Sequence, residues 1–244
     1  MKEIETLQDW INNSNNIVFF GGAGVSTESG IPDFRSTDGL YASEYENKSP
    51  EYLLSKTAFD KETELFYKFY REKILMQGLN LEIKPNIAHI KLAELEKAGK
   101  LKAVVTQNID TLHQEAGSKT VYQIHGTIAT NHCTSCNKEY SLEDVKATEG
   151  VPHCSCGGII KPDVVLYEEN LPEGVWDNAS LAVGKSDMLI VAGTSLSVYP
   201  AANLLQYYRG QKLVIINKTP TNADYLADLV IHAPLGEVFS QINI

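Results

Sequence analysis

An unbroken apolar run that passes directly into glycines constrains this chain more than any other feature. Residues 17–35 read IVFFGGAGVSTESGIPDFR. A buried strand from Ile17 to Phe20 that feeds Gly21, Gly22 and Gly24 is how a parallel sheet brings backbone N–H groups up to a phosphate. The dinucleotide fingerprint would place a third glycine three residues after Gly24, but Thr27 stands there, and Pro32 limits the helix that follows. Hydride-transfer loops are therefore a poor match. Pro32, Asp33, Phe34 and Arg35 instead set a carboxylate, a ring and a guanidinium beside whatever the glycines hold. A lone Gly-x-Gly more often marks only a tight strand-to-helix turn. The apolar lead-in and the polar tail together favour a nucleotide site.

The alternation of helix and strand continues along the chain. Ile4, Leu7, Trp10 and Ile11 recur at helical spacing, and the polar stretch at 12–16 stops that helix before the strand. Pro85 and Asn86 open another helix, which carries His89, Leu92 and Leu95 and closes at Gly99; residues 101–106 read as the next strand. Further apolar runs at 164–167, 188–192, 212–216 and 229–232 lie next to helical or turn segments. Strands separated by helices predict a parallel sheet covered on both faces, an α/β fold of Rossmann-like type. Residues 38–85 break the alternation with an aromatic stretch, in which Leu65, Phe66, Phe69 and Tyr70 suit one helix face and read as packing.

The cysteines break it a second time. Cys133-x-x-Cys136 is followed after seventeen residues by Cys154-x-Cys156 and two glycines. Four thiolates in two close pairs match the tetrahedral preference of zinc, and the length between them matches a ribbon or knuckle. Disulfides are the alternative, disfavoured by the close-pair spacing and the lack of a secretion signal. The C-x-C half departs from the usual two-residue gap and could strain the site. His132 and His153 stand beside cysteines and read as exposed neighbours, because four thiolates already close a structural site. The expected organisation is a discontinuous nucleotide domain of residues 1–37, 86–125 and 164–244. A helical insertion at 38–85 and a zinc-ribbon insertion at 126–163 form a smaller module.

At 244 residues, with 43% hydrophobic and 21% charged residues, the chain can bury one full core and carry such a module. No apolar run approaches the length of a membrane span. The first residues, MKEIETLQDWINN, form an acidic amphipathic helix with no basic start, apolar core or cleavage site, so the expected location is cytoplasmic. A net charge of -10 disfavours stable nucleic-acid binding, which draws its affinity from Lys and Arg.

Ligands of open parallel sheets collect at the carboxyl ends of the strands. Strand one ends in Gly21 to Gly24, the run at 101–106 in Gln107, Asn108, Ile109 and Asp110, that at 188–192 in Gly193, Thr194 and Ser195, and that at 212–216 in Asn217 and Lys218. Each set is rich in hydrogen-bonding groups and poor in bulk. Together they outline an extended ligand with phosphates and at least one ribose. His125 lies at the junction with the cysteine insertion, where a neutral imidazole could take a proton from a ribose hydroxyl. His89 and His113 read as helical, and His232 lies near the last strand.

With these residues in view, the chain resembles the sirtuins, NAD-dependent protein-lysine deacylases. The resemblance rests on GAGVSTESGIPDFR from Gly22, TQNID from Thr106, His125-Gly126, the four cysteines, KPDVVLYEE from Lys161, GTSLSVYPAA from Gly193, and Asn217-Lys218. It implies NAD as co-substrate and one structural zinc ion on Cys133, Cys136, Cys154 and Cys156. It assigns Gly22, Ala23, Gly24, Thr27, Ile31, Pro32, Asp33, Phe34 and Arg35 to NAD binding, with Phe34 over the nicotinamide side. Gln107, Asn108, Ile109 and Asp110 would shape the nicotinamide-ribose pocket, with Asn108 and Asp110 catalytic beside His125, the general base. Gly193, Thr194, Ser195, Asn217 and Lys218 would hold the adenosine half, and Leu235 the adenine.

The implied mechanism is acyl transfer without a redox step. The amide oxygen of an acyl-lysine attacks the anomeric carbon as nicotinamide departs, and His125 then activates a ribose hydroxyl toward the acyl carbon. Val165, Tyr167 and Val198 would line an acyl-lysine tunnel, and backbone groups around Glu168 and in 197–199 would pair with the peptide as an added strand. Family members commonly read Gly-Glu where this chain has Glu168-Glu169, and the extra acid could favour basic peptides. Members that prefer succinyl or malonyl groups carry Tyr-x-x-Arg where this chain reads Tyr67-Lys68-Phe69-Tyr70, so the expectation is deacetylation of protein or peptide acetyl-lysine, with Arg71 out of phase. The alternatives are mono-ADP-ribosyl transfer or longer-chain deacylation on the same scaffold, and an NAD-sensing module without turnover.

Overall fold

A computed structural model describes residues 2–34, 39, 44–77 and 82–244. Six parallel strands form the larger sheet, in the order β3-β2-β1-β7-β8-β9. They are β1 (Ile17–Gly21), β2 (Leu101–Thr106), β3 (Val121–Gln123), β7 (Met188–Ala192), β8 (Leu213–Ile216) and β9 (Leu229–Ile231). Between β3 and β7 the chain builds a three-stranded antiparallel sheet, β5-β4-β6, from β4 (Gly126–Cys133), β5 (Glu139–Ser141) and β6 (Ile160–Val164). The α-helices are α1 (Lys2–Asn12), α2 (Pro50–Leu53), α3 (Lys56–Lys61), α4 (Thr63–Phe69), α5 (Ile87–Lys97), α6 (Leu112–Glu115), α7 (Leu142–Lys146), α8 (Glu173–Lys185) and α9 (Leu235–Phe239). Among the described residues, no helix is long and apolar enough to cross a membrane.

The continuous apolar runs follow from burial on both faces. Every residue of β1 and β7 is buried. Ile17, Phe19, Met188 and Ile190 pack with Leu7 of α1, Leu92 of α5 and Val238 of α9, whereas Val18, Phe20, Leu189 and Val191 pack with Ala179 and Val183 of α8. Each such side chain contributes roughly 1.5–3 kcal/mol relative to exposure. Local signals set the helix ends. Asn86 caps α5 through Ala88 N–H (3.0 Å), and His89 Nδ1 accepts the Asn86 N–H (3.3 Å). The Lys100 ammonium takes the Ile11 and Asn12 carbonyls at the end of α1 (3.1 and 2.8 Å), where the helix dipole is negative.

The aromatic stretch is packing, as its pattern predicts. Phe59, Phe66, Tyr67, Phe69 and Tyr70 form one buried cluster with Leu53, Leu54 and Leu166. Arg71, one residue past it, donates to Val145 O (3.0 Å), Gly150 O (2.9 Å) and Thr148 Oγ1 (2.8 Å), so it ties this helical segment to the end of α7.

One strand assignment requires correction. The apolar run at 164–167 does not join the parallel sheet: its strand is β6, which ends at Val164 and runs antiparallel to β4. Hydrophobicity marks a buried strand but carries no information about which neighbour it pairs with.

Candidate active site

In an open parallel sheet the ligand crevice lies where successive strands depart in opposite directions. That point falls between β1 and β7, because the chain runs outward from β1 through β2 and β3 on one side and through β7, β8 and β9 on the other. The segments following β1, β2, β7 and β8 meet at this edge, so the four polar strand ends seen in the sequence share one crevice.

Backbone packing demands the glycines. A Cβ on Gly22 would lie 2.8 Å from Thr194 Cβ, and one on Gly24 would lie 2.8 Å from Gly193 Cα. Gly193 itself has φ +59, and a Cβ there would come within 2.5 Å of Val25 N. These glycines thus let the loop pack directly against the end of β7. Gly22 N–H donates to Ala192 O (3.3 Å) and Gly24 N–H to Gly193 O (2.8 Å). The Ala23 N–H, at the start of a short 3₁₀ turn, has no backbone partner among the described residues.

Around that floor the side chains form a connected network. Asn108 is 6% exposed, and its Nδ2 donates to Ser26 Oγ (3.0 Å). Ser26 Oγ donates in turn to Asp110 Oδ2 (2.8 Å), while Leu112 N–H donates to Asp110 Oδ1 (3.0 Å). Burial pushes the Asp110 carboxyl above its ordinary value despite those two donors. Gln107 Nε2 donates to Thr194 Oγ1 (2.9 Å), which bridges the ends of β2 and β7. Ser26 is the residue that sequence reasoning missed; a lone hydroxyl in a glycine-rich loop gives no sign that it joins two other segments.

His125 sits between β3 and β4, and its Nδ1 lies 3.1 Å from Gln107 O. A carbonyl only accepts, so the ring proton resides on Nδ1 and Nε2 is left as a base. Burial lowers the pKa of the ring below its ordinary value, with the Gln107 carbonyl opposing. The turn at 106–110 is braced along its length by 123–128. Ile124 N–H takes Thr106 O (3.0 Å), Ile128 N–H takes Ile109 O (3.0 Å), and Gln123 Nε2 takes Asp110 O (2.7 Å).

The remaining candidates divide by environment. Ile31, Pro32, Asp33 and Phe34 are half-buried beside the loop, and the exposed Thr27 bonds Gly24 O through its hydroxyl (3.1 Å). Arg35 lies outside the described residues. Ser195 Oγ pairs with Ser197 Oγ (2.6 Å), Asn217 Nδ2 donates to Thr219 O (2.8 Å), and Lys218 is exposed. Leu235 is a core residue, 5% exposed among Phe19, Val25 and Ala88, so its side chain is turned toward the interior.

The segment after β6 runs beside the base. Val165 N–H donates to His125 O (2.9 Å), and Tyr167 exchanges bonds with Leu54 O and Lys56 N–H (both 3.0 Å). Val198, on the β7 side, is half-buried. The two acids do not stand free toward a basic peptide: Glu168 Oε2 accepts from Thr57 N–H (2.9 Å) and Thr57 Oγ1 (2.7 Å), and Glu169 Oε2 accepts from Leu166 N–H (2.9 Å) and Lys161 Nζ (3.0 Å).

The cysteines converge. All four Sγ atoms lie within 4.8 Å of one another, and none is in a disulfide. Two close pairs cross between the two halves, Cys133 to Cys156 at 3.5 Å and Cys136 to Cys154 at 3.6 Å. Tetrahedral Zn–S bonds place sulfurs roughly 3.8 Å apart, so the donor set fits zinc and the C-x-C half reaches the cluster. Gly158 leaves room for it, since a Cβ there would lie 2.6 Å from Cys133 Sγ. The Cys156 N–H and then the Tyr140 hydroxyl bring Cys154 down to about 5, whereas Cys156 rises to about 12, the Gly158 N–H being outweighed by the three neighbouring thiols. His153 is exposed as expected, but His132 is half-buried, with Nδ1 2.8 Å from Asp163 Oδ1.

Known proteins resemble this chain along nearly its whole length. The NAD-dependent protein deacetylase of Clostridium perfringens is 53% identical over 243 residues, covering 98% of each chain. That of Clostridium acetobutylicum is 51% identical over 245 residues, covering 99% of this chain and 98% of the relative. A solved Sir2 complex with a p53 peptide and NAD+ superposes with a TM-score of 0.85 at 39% identity, over 99% of this chain and 97% of that one. Another, holding a deacetylated p53 peptide and 3'-O-acetyl ADP ribose, gives 0.87 at 37% identity, over 98% and 96%. A sequence model described as the Sir2 family matches residues 22–200, and this chain belongs to that family.

Proposed function

We propose that this protein is an NAD-dependent protein-lysine deacetylase that transfers the acetyl group to ADP-ribose and releases nicotinamide. The observation that carries the reading is the position of His125. Its Nδ1 is fixed by Gln107 O, within the polar crevice, and its own carbonyl holds Val165 N–H, where the acyl-lysine segment begins. A base facing both a nucleotide pocket and a substrate strand suits transfer between the two. NAD, when bound, supplies an electrophilic anomeric carbon and a hydroxyl acceptor for the acyl group. On this reading, Gly22, Ala23, Gly24, Gly193 and Thr194 form the floor under it, and Asn108 and Asp110, joined through Ser26, orient the nicotinamide ribose. His125 Nε2 takes the ribose proton. Four thiolates hold a structural zinc with no open position for catalysis.

The nucleotide side comprises residues 1–37, 86–125 and 164–244, and the smaller module 38–85 and 126–163, with the enzyme acting in the cytoplasm on acetyl-lysine proteins. Acetyl is preferred over succinyl because Arg71 is engaged with Val145 O, Gly150 O and Thr148 Oγ1. The test is product analysis with NAD and an acetyl-lysine peptide, wild type against His125→Ala. Free lysine peptide stoichiometric with nicotinamide, lost in the variant, is the expected result. ADP-ribose attached to protein, or full turnover by His125→Ala, would overturn the reading.

A further inference from the structure

We infer that Glu168 is a positioning residue for the substrate peptide, setting the edge of the strand on which that peptide pairs; this rests on the deacetylase reading above. Two independent observations single it out. First, Glu168 has φ +74, in the left-handed region that is strained for a residue with a Cβ and that glycine adopts freely. Second, its exposed side chain is held: the carboxylate accepts both the N–H and the hydroxyl of Thr57, at 2.9 and 2.7 Å.

The two bonds to Thr57 extend a seam that the backbone begins. Tyr167 N–H takes Leu54 O and Lys56 N–H takes Tyr167 O, each at 3.0 Å, so residues 54–56 and 167 form a parallel bridge. Thr57 follows Lys56 directly, as Glu168 follows Tyr167. The seam therefore passes from main chain to side chain without a gap, and it joins the aromatic helical segment to the strand leading from His125. Because Tyr167 spends its own N–H and C=O on residues 54 and 56, and Leu166 spends its own on Glu169 (N–H to Oε2 at 2.9 Å, C=O from the Glu169 N–H at 3.0 Å), the main-chain groups left to an incoming strand on the opposite edge are those of Glu168. The direction of that edge is set by the turn at 168. Glu169 N–H closes that turn on Leu166 O (3.0 Å), and the charge-assisted pair of hydrogen bonds to Thr57 offsets the left-handed strain at its corner before the peptide arrives. Glu168 thus reaches by a side-chain latch the conformation that a glycine would reach by freedom alone.

Four variants test this, with steady-state kinetics for an acetyl-lysine peptide and for NAD measured separately. Glu168→Ala keeps the strain and loses the latch; it should raise KM for the peptide about 5–10-fold while KM for NAD changes less than about twofold. Glu168→Gly loses the latch and the strain together and should recover most of that loss. Glu168→Gln keeps an acceptor and should stay within about threefold of wild type, and Thr57→Val, which removes one of the two donors, should raise peptide KM by about 2–3-fold. Amide exchange at 165–169 should be faster in Glu168→Ala than in wild type. A Glu168→Gly protein as impaired as Glu168→Ala, an equal rise in KM for NAD, or unchanged exchange at 165–169 would overturn the assignment. The exchange measurement needs no turnover, so it judges the latch even if the wild type deacetylates no peptide, an outcome that would instead count against the functional reading.

Discussion

Acidification from about pH 7 to about pH 5 should remove a large part of the stability of this fold through two histidines that the chemistry does not use. His89 and His113 are 0% and 1% exposed, their rings are 4.7 Å apart, and among the described residues His89 Nε2 and both ring nitrogens of His113 have no hydrogen-bond partner. Burial lowers His89 from 6.5 to about 4; burial, and then the neighbouring His89, lowers His113 to about 3. Both folded values lie below the unfolded one, so between them the unfolded chain binds more protons. The contribution to stability is intact above about pH 6.5 and is lost progressively as pH falls toward the folded values. Each pH unit in that window costs about 1.4 kcal/mol per histidine, so the descent to about pH 5 costs about 2 kcal/mol for each and about 4 kcal/mol for the pair.

Urea unfolding at a series of pH values, wild type against His113→Leu, measures this directly. The variant should lose about 2 kcal/mol less than the wild type over the same interval. His125, also held low by burial, titrates in both proteins and cancels in the comparison. Equal pH slopes for the two proteins would refute the reasoning.

Other outcomes follow from the crevice and the metal site. Gly24→Ala should destabilise the protein by about 1–3 kcal/mol, because its Cβ would meet Gly193 Cα at 2.8 Å, and chemical denaturation would report it. The pH profile of kcat/KM should have its acidic limb below the ordinary histidine value, since burial keeps His125 neutral to lower pH; activity falls as that ring protonates. Cys133→Ser should lose one equivalent of bound zinc by metal analysis and expose 126–163 to proteolysis, as this small sheet buries few side chains apart from Cys133, Val145, Cys154 and Ile160. Ser26→Ala should raise KM for NAD about tenfold, by leaving Asn108 Nδ2 and Asp110 Oδ2 without their shared partner.

The sequence disclosed the parts of the molecule whose physics is local. Strands β1, β7 and β8 are apolar throughout because both faces are covered, and α5 carries its own cap at Asn86 and a left-handed glycine at Gly99. The four cysteines were legible because ligand spacing is itself a local property. What stayed hidden depends on partners far along the chain. Strand β3 is three half-buried residues at a sheet edge, too short to show a period. The partner of β6, the bridging role of Ser26 and the latch on Glu168 are contacts across tens of residues, and side-chain type alone does not encode them. The glycines were legible as places without bulk, but their tight packing against Gly193 and Thr194 was not, since a sequence shows where bulk is absent without showing what fills the space.

The brace along 106–110 decides which part of the molecule owns the base. Thr106, Gln107, Ile109 and Asp110 all give their carbonyls to residues 123–128, so that the turn and His125 behave as a single rigid piece of the large sheet. Because β4 begins at Gly126, any swing of the cysteine-bearing sheet must then bend β4 itself beyond Ile128, in the stretch between Gly126 and Asn131 where its pairing with β6 shifts register. The base would stay behind with the nucleotide, and the reaction coordinate would be insulated from the movement that admits a peptide.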